Sequence, residues 1–224
     1  MRDVDGLLGQ ASRARFAALW VVVGCAVAAL VTWLVFPPAD VERIMGETGP
    51  VELLTAATYA LCAVAIWWAR SSVDDLRSVA ASSIVMLAFC LRELDWHKQF
   101  TGASVLRLSW YAGPASIGAK LVAAGVLTVV LAALSWLVLR HARQVWQGWR
   151  ERQPLAFTLL VFLVTLVLAK TLDRSVGILV GDYGVDVPLL WKAWRTAFEE
   201  WFELGLSMLV MLALLQRRAE SARP

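Results

Sequence analysis

The chain has 224 residues, of which 59% are apolar and 17% charged, with a formal net charge of +3 and a mean hydropathy of +0.64. That balance is too apolar for a water-soluble domain of this length and leaves little room for a separate soluble module. The small basic surplus is mostly arginine and forms no Lys/Arg patch with interleaved aromatics, so nucleic acid is not an expected partner.

Apolar runs long enough to cross a bilayer core, roughly 20 residues each, recur along the chain. Residues 1–15 are polar and carry Arg2, Arg13 and Arg15; the run 16–36 that follows predicts a first span, ended by Pro37 and Pro38. It is longer than the apolar region of a signal peptide, and no small-x-small cleavage site follows it. Residues 39–49 predict a short acidic loop, and Pro50 opens a second span over 51–69 that closes on Trp67, Trp68 and Arg70, an aromatic and cationic interface anchor. Ser72 predicts an N-cap, with Asp74 and Asp75 in the first turn of a third span over 76–97. Residues 99–118, with Arg107, Trp110 and Tyr111, predict an interfacial connection. The fourth span, 119–139, is the most purely apolar; an Arg-rich loop over 140–153 leads to Pro154 and a fifth span over 155–175. A turn-rich loop at 177–187 and Pro188 precede a sixth span over 189–215, which ends in Arg217 and Arg218. Cys25, Cys62 and Cys90 lie inside apolar runs without a CxxC pair and read as small buried hydrophobes. No internal repeat points to an inverted-repeat transporter.

These elements predict an all-α, polytopic membrane bundle of about six transmembrane helices forming one domain over 1–224. With the N-terminus inside, the cytoplasmic loops and tails hold Arg2, Arg13, Arg15, Arg70, Arg77, Arg140, Arg143, Arg150, Arg152, Arg217, Arg218 and Arg223. That bias predicts both termini in the cytoplasm. The Arg- and Ala-rich usage suggests a bacterial inner membrane, where the protein would be multi-pass.

Placing ionisable residues by depth, at about 1.5 Å per residue from each cytoplasmic boundary, gives a one-sided pattern. Arg92, Glu93, Asp95 and His97 of the third span, Lys170, Asp173 and Arg174 of the fifth, Glu199, Glu200 and Glu203 of the sixth, and Glu52 of the second fall at roughly 20–30 Å. The inner halves offer hydroxyls such as Thr58, Ser82, Ser83, Thr165 and Ser207. Charge inside a span is costly unless paired or wet and marks a functional place. The layer therefore predicts a polar cavity open to the periplasm and sealed below. Helical spacing puts Glu93 with His97, and Arg92 with Asp95, on shared faces. Acids outnumber bases, and a surplus carboxylate in a dry site must take a proton or a cation.

The leading expectation is a membrane-embedded enzyme acting on a lipid or another amphiphile. Glu93, His97, Glu200 and Glu203 would be its acid/base groups or the ligands of a divalent metal, since carboxylates with one imidazole suit such ions. Arg92, Lys170 and Arg174 would bind an anionic group, with Asp95, Asp173 and Glu52 completing the ion pairs. A proton- or cation-coupled transporter or channel would use the same carboxylates but needs a hydrated inner path. A non-catalytic subunit or sensor would use the charges as internal struts. Assembly as a homo-oligomer through the first and fourth spans is compatible with all three.

Overall fold

A computed structural model describes residues 2–46, 49–70, 75–96 and 108–221. Among them the chain is helical without strands: α1 (Arg2–Val35), α2 (Pro38–Met45), α3 (Pro50–Trp68), α4 (Leu76–Glu93), α5 (Leu108–Ala112), α6 (Ile117–Arg150), α7 (Pro154–Gly181) and α8 (Leu189–Ser221). Among the described residues, four stretches are long and apolar enough to cross a membrane: Arg15–Val35, Pro38–Trp68, Ile117–Arg150 and Pro154–Gly181. The chain is an all-α membrane protein. α4 and α8, expected as the third and sixth spans, interrupt their apolar sequence with Arg77, Arg92 and Glu93 and with Lys192, Arg195, Glu199, Glu200 and Glu203.

Several boundaries differ from the expected spans, each for a local reason. The expected acidic loop at 39–49 contains α2. Pro38 sits in its first turn, where a missing N–H is harmless, and Asp40 accepts from Arg43 at 2.8 Å. Val41 and Met45 share its buried face. α4 is shorter than 76–97. It ends at Glu93, and Asp95 takes a left-handed φ of 48°, a conformation aspartate tolerates better than most residues. The helical register expected to align Arg92 with Asp95 is therefore broken at Leu94 and Asp95; His97, expected on a face with Glu93, lies outside the described residues. α6 runs through the expected loop at 140–153 as far as Arg150, because that segment holds good helix formers and its arginines suit a helix C-terminus. α7 likewise continues to Gly181 through the apolar part of the expected 177–187 loop. Ser72, Asp74, His97, Lys98 and Arg107 lie outside the described residues.

By packing, the chain divides into two compact units, one of residues 1–58 with 143–224 and the other of residues 59–142. In the first, α8 packs against α7, α1 and α2, and α1 packs against α7. Small residues let the backbones approach: Ala18, Ala29, Ala169, Ala193 and Ala197 are fully buried. Cys25, Ala169 and Phe202 form one apolar cluster, bordered by Val21, Leu172 and Phe198. Val41 and Met45 of α2 form another with Ala193 and Ala197 of α8. Polar pins cross these contacts. Trp201 Nε1 donates to Thr32 Oγ1 at 3.1 Å, and Thr158 Oγ1 donates to Gln216 Oε1 at 2.8 Å. Gly148 allows the tight α6–α7 turn, since a Cβ there would meet Gln153 Oε1 at 2.7 Å and Ala156 Cβ at 2.9 Å.

In the second unit, Tyr59 stacks on Phe89 with ring centroids 5.2 Å apart. Ser83 Oγ donates to the Ala63 carbonyl at 3.4 Å, and Trp136 Nε1 of α6 donates to Ser78 Oγ of α4 at 3.3 Å.

The α1–α8 contact depends on one absent side chain, because a Cβ on Gly205 would lie 2.9 Å from Cys25 Sγ. Gly205→Val is expected to cost about 1–3 kcal/mol of stability by overpacking. Thermal unfolding in detergent should show this as a lower midpoint, with Cys25→Ala returning part of the loss. An unchanged midpoint in the single variant would mean that the two helices do not approach this closely.

Candidate functional site

The buried face of α8 carries polar groups at helical spacing: Thr196, Glu199, Glu203 and Ser207 are spaced three or four residues apart and all buried. Helix periodicity alone aligns them; what they meet is decided by the neighbouring helices. Lys170 of α7 reaches across and donates to Glu203 Oε1 at 2.5 Å, with the lysine side chain 33% exposed and the glutamate 3%. Asp173, one turn along α7, lies 3.7 Å from the same ammonium. Arg195 pairs with Glu199 one turn along α8 and donates to Thr196 Oγ1 at 3.2 Å. The Thr196 hydroxyl in turn donates to Glu42 Oε1 of α2 at 3.1 Å. Arg195, Glu203, Asp173 and Lys170 all lie within electrostatic reach of Glu199.

The result is two polar groups: Glu42, Thr196, Arg195 and Glu199 between α2 and α8, and Glu203, Lys170 and Asp173 between α8 and α7. They hold four carboxylates and two bases and come within electrostatic reach of one another at Glu199. The more deeply buried members are the acids Glu199 and Glu203, while the bases keep a partly exposed edge. Such a centre can hold or pass a proton, because not every carboxyl can be ionised in apolar surroundings with so few cations.

Of the residues singled out in the sequence, Lys170, Asp173 and Glu203 are brought together. Glu200 is half-buried on the adjacent face of α8, whereas Arg174 is exposed. Glu52 is half-buried in the first turn of α3. Arg92 and Glu93 belong to the second unit, where the guanidinium pairs with the buried carboxylate at 3.0 Å. Asp95 sits in the left-handed turn after α4. Among the described residues, no three His, Cys, Asp or Glu side chains are placed to hold a metal ion; His97, the imidazole of the expected ligand set, lies outside them.

Sequence reasoning missed Glu42 and Thr196. Glu42 falls in a segment read as loop, and only the α2–α8 packing carries it to α8. Thr196 had a usable signal in its spacing of three from Glu199. Several inner hydroxyls turn back on their own helix: Thr58 donates to the Leu54 carbonyl at 2.7 Å and Ser207 to the Leu204 carbonyl at 2.8 Å. Such back-bonding satisfies a hydroxyl without recruiting a ligand.

A second polar node lies in the unit of residues 59–142. Asp75, expected as a first-turn acid, is itself the N-cap of α4. Its Oδ1 accepts from the Arg77 N–H at 3.1 Å and its Oδ2 from Ser78 Oγ at 3.0 Å. The Ser78 oxygen also receives Trp136 Nε1 and lies 2.9 Å from His141 Nε2. With its one proton directed at Asp75, the hydroxyl accepts from both rings, which requires the Nε2–H form of His141.

No protein-family model matches the chain, and no curated protein or solved structure is detectably similar to it.

Partial burial raises the Asp75 carboxyl, but the bonds from Arg77 and Ser78 and the charges of Arg140 and Arg77 outweigh it and hold it below its ordinary value. A depressed carboxyl stabilises the folded state above the unfolded value, near pH 4, and that contribution is lost as pH falls through the lower folded value. Asp75→Ala should therefore unfold at a lower temperature than the parent at pH 7. The gap should narrow below about pH 4. A gap that stays constant across that range in detergent melts would contradict the cap.

Proposed function

We propose that the chain is a multi-pass inner-membrane protein, with both termini in the cytoplasm, whose α7–α8 polar centre serves as the acid–base site of a membrane-embedded enzyme acting on a lipid or another amphiphile. The observation that carries this reading is the set of four carboxylates and two bases gathered in two neighbouring groups around the buried face of α8. Two ion pairs would suffice to lock α8 in place. The additional carboxylates leave acids in excess over bases beside the buried pairs, which favours a group able to exchange a proton, the property a general acid requires. In this reading Glu203, held by Lys170, and the neighbouring Glu200 exchange the proton. Lys170, through its exposed edge, and Arg174 attract the anionic part of the amphiphile. The arginine distribution supports placing this centre toward the periplasmic side.

A specific observation favours a second reading, in which the charges are struts of a non-catalytic subunit: buried Glu203 and Glu199 each touch a base directly. The two readings separate cleanly. For an enzyme, Glu203→Gln should return the lipid and amphiphile profile of producing cells to that of cells with an empty vector, while the protein remains folded. For struts, Glu203→Gln and Lys170→Met should each lose about 1–3 kcal/mol, with the double variant recovering most of it. A profile that does not respond to the wild-type protein, together with that recovery, would replace the enzyme reading by the structural one.

A further inference from the structure

The α4–α6 node, separate from the proposed acid–base centre, gathers two arginines around one carboxylate among the described residues. Arg77 and Arg140 both lie within electrostatic reach of Asp75, and both side chains are exposed. Among the described residues, neither guanidinium forms an ion pair with a carboxylate. Asp75 is already committed, with one oxygen on the Arg77 backbone N–H and the other on the Ser78 hydroxyl.

The two arginines are placed rather than merely near. The Arg77 guanidinium lies over the Trp136 ring, 5.6 Å from its centroid, a stacking that arginine favours. The bonds of Ser78 to Trp136 and His141 fasten α6 to α4 at this level, and Arg140 immediately precedes His141. The same level is the end of two apolar runs. Arg140 closes the run of α6 after Val138 and Leu139, which are 61% and 85% exposed, and Arg77 follows Leu76, itself 52% exposed, at the start of α4. Cations at one height, a tryptophan beside them and uncovered aliphatic side chains adjacent reproduce the order of groups in a phospholipid: phosphate, interface, acyl chain.

We propose that Arg77 and Arg140, steadied by Trp136 and Ser78, form a seat for the phosphate of an anionic phospholipid whose acyl chains lie along α6. Guanidinium is suited to this because its fork matches two phosphate oxygens at once. A soluble anion would have no use for the exposed Val138 and Leu139, which is why the lipid is the occupant.

The test uses the full-length protein in neutral detergent, titrated separately with phosphatidylglycerol, phosphatidylcholine and inorganic phosphate. Bound lipid is counted by native mass spectrometry and thermal midpoints are recorded alongside. Phosphatidylglycerol should bind and raise the midpoint well above the effect of phosphatidylcholine. Arg77→Gln and Arg140→Gln should each weaken its apparent affinity about fivefold, and the double variant should lose the preference. Arg43→Gln, which removes a surface charge on α2, should leave it intact. Arg77→Lys keeps the charge and gives up the fork, so a folded Arg77→Lys protein should fall between the parent and Arg77→Gln. Equal response to the two lipids, a preference that survives the double variant, or an equal response to inorganic phosphate would each overturn the assignment.

Discussion

The contact between Lys170 and Glu203 joins α7 to α8, and most of the larger unit is arranged around α8. Glu203 is buried, and the ammonium against it offsets the cost of its charge. That pairing places Lys170, and with it the face of α7 that includes Ala169. Ala169 then closes on Cys25 and Phe202. One electrostatic match thus positions an apolar cluster as well as a polar one.

Around it, the unit follows the inverted economy of a membrane protein. The fully buried positions are small, as with Ala18, Ala29, Ala193 and Ala197, because helices in lipid gain stability from close packing rather than from removing oil from water. The large side chains of the long apolar helices look outward: Trp20, Leu34, Val164 and Val167 are exposed on α1 and α7. Within such a frame hydrogen bonds serve as fasteners. Trp201 to Thr32 holds α8 to α1, Thr158 to Gln216 holds α7 to α8, and Thr196 to Glu42 holds α8 to α2.

The two polar nodes have opposite character. Between α7 and α8 the acids are deep and the bases shallow, an arrangement suited to keeping a proton. At the α4–α6 node Asp75 is occupied by a helix cap and a serine, and the arginines are exposed, an arrangement suited to receiving an anion. Their separation follows from sequence. Glu199 and Glu203 lie on the buried face of α8, whereas Arg77 opens α4 and Arg140 ends the apolar run of α6, where a long side chain can reach the headgroups.

Class and elements were legible in the residues because composition and run length answer directly to the thickness of a bilayer. The apolar runs and the helix starts at Pro50 and Pro154 followed from composition and spacing, as did the common depth of Lys170, Asp173 and Glu203, which the fold brings together. Helix ends were less legible. Segments 140–150 and 177–181 are polar or turn-like in composition yet compatible with helix, and at Asp95 a single left-handed residue ended a face that periodicity would have continued. Contacts between elements distant in the chain were not legible at all. Nothing in the spacing of Glu42 announces Thr196, 154 residues away, and nothing at Ser78 announces His141, because such pairs are chosen by how helices pack. Periodicity along one helix determined which side chains share a face; only tertiary packing decided which face they meet, since that depends on small residues such as Gly205 and Ala169 letting particular backbones come close.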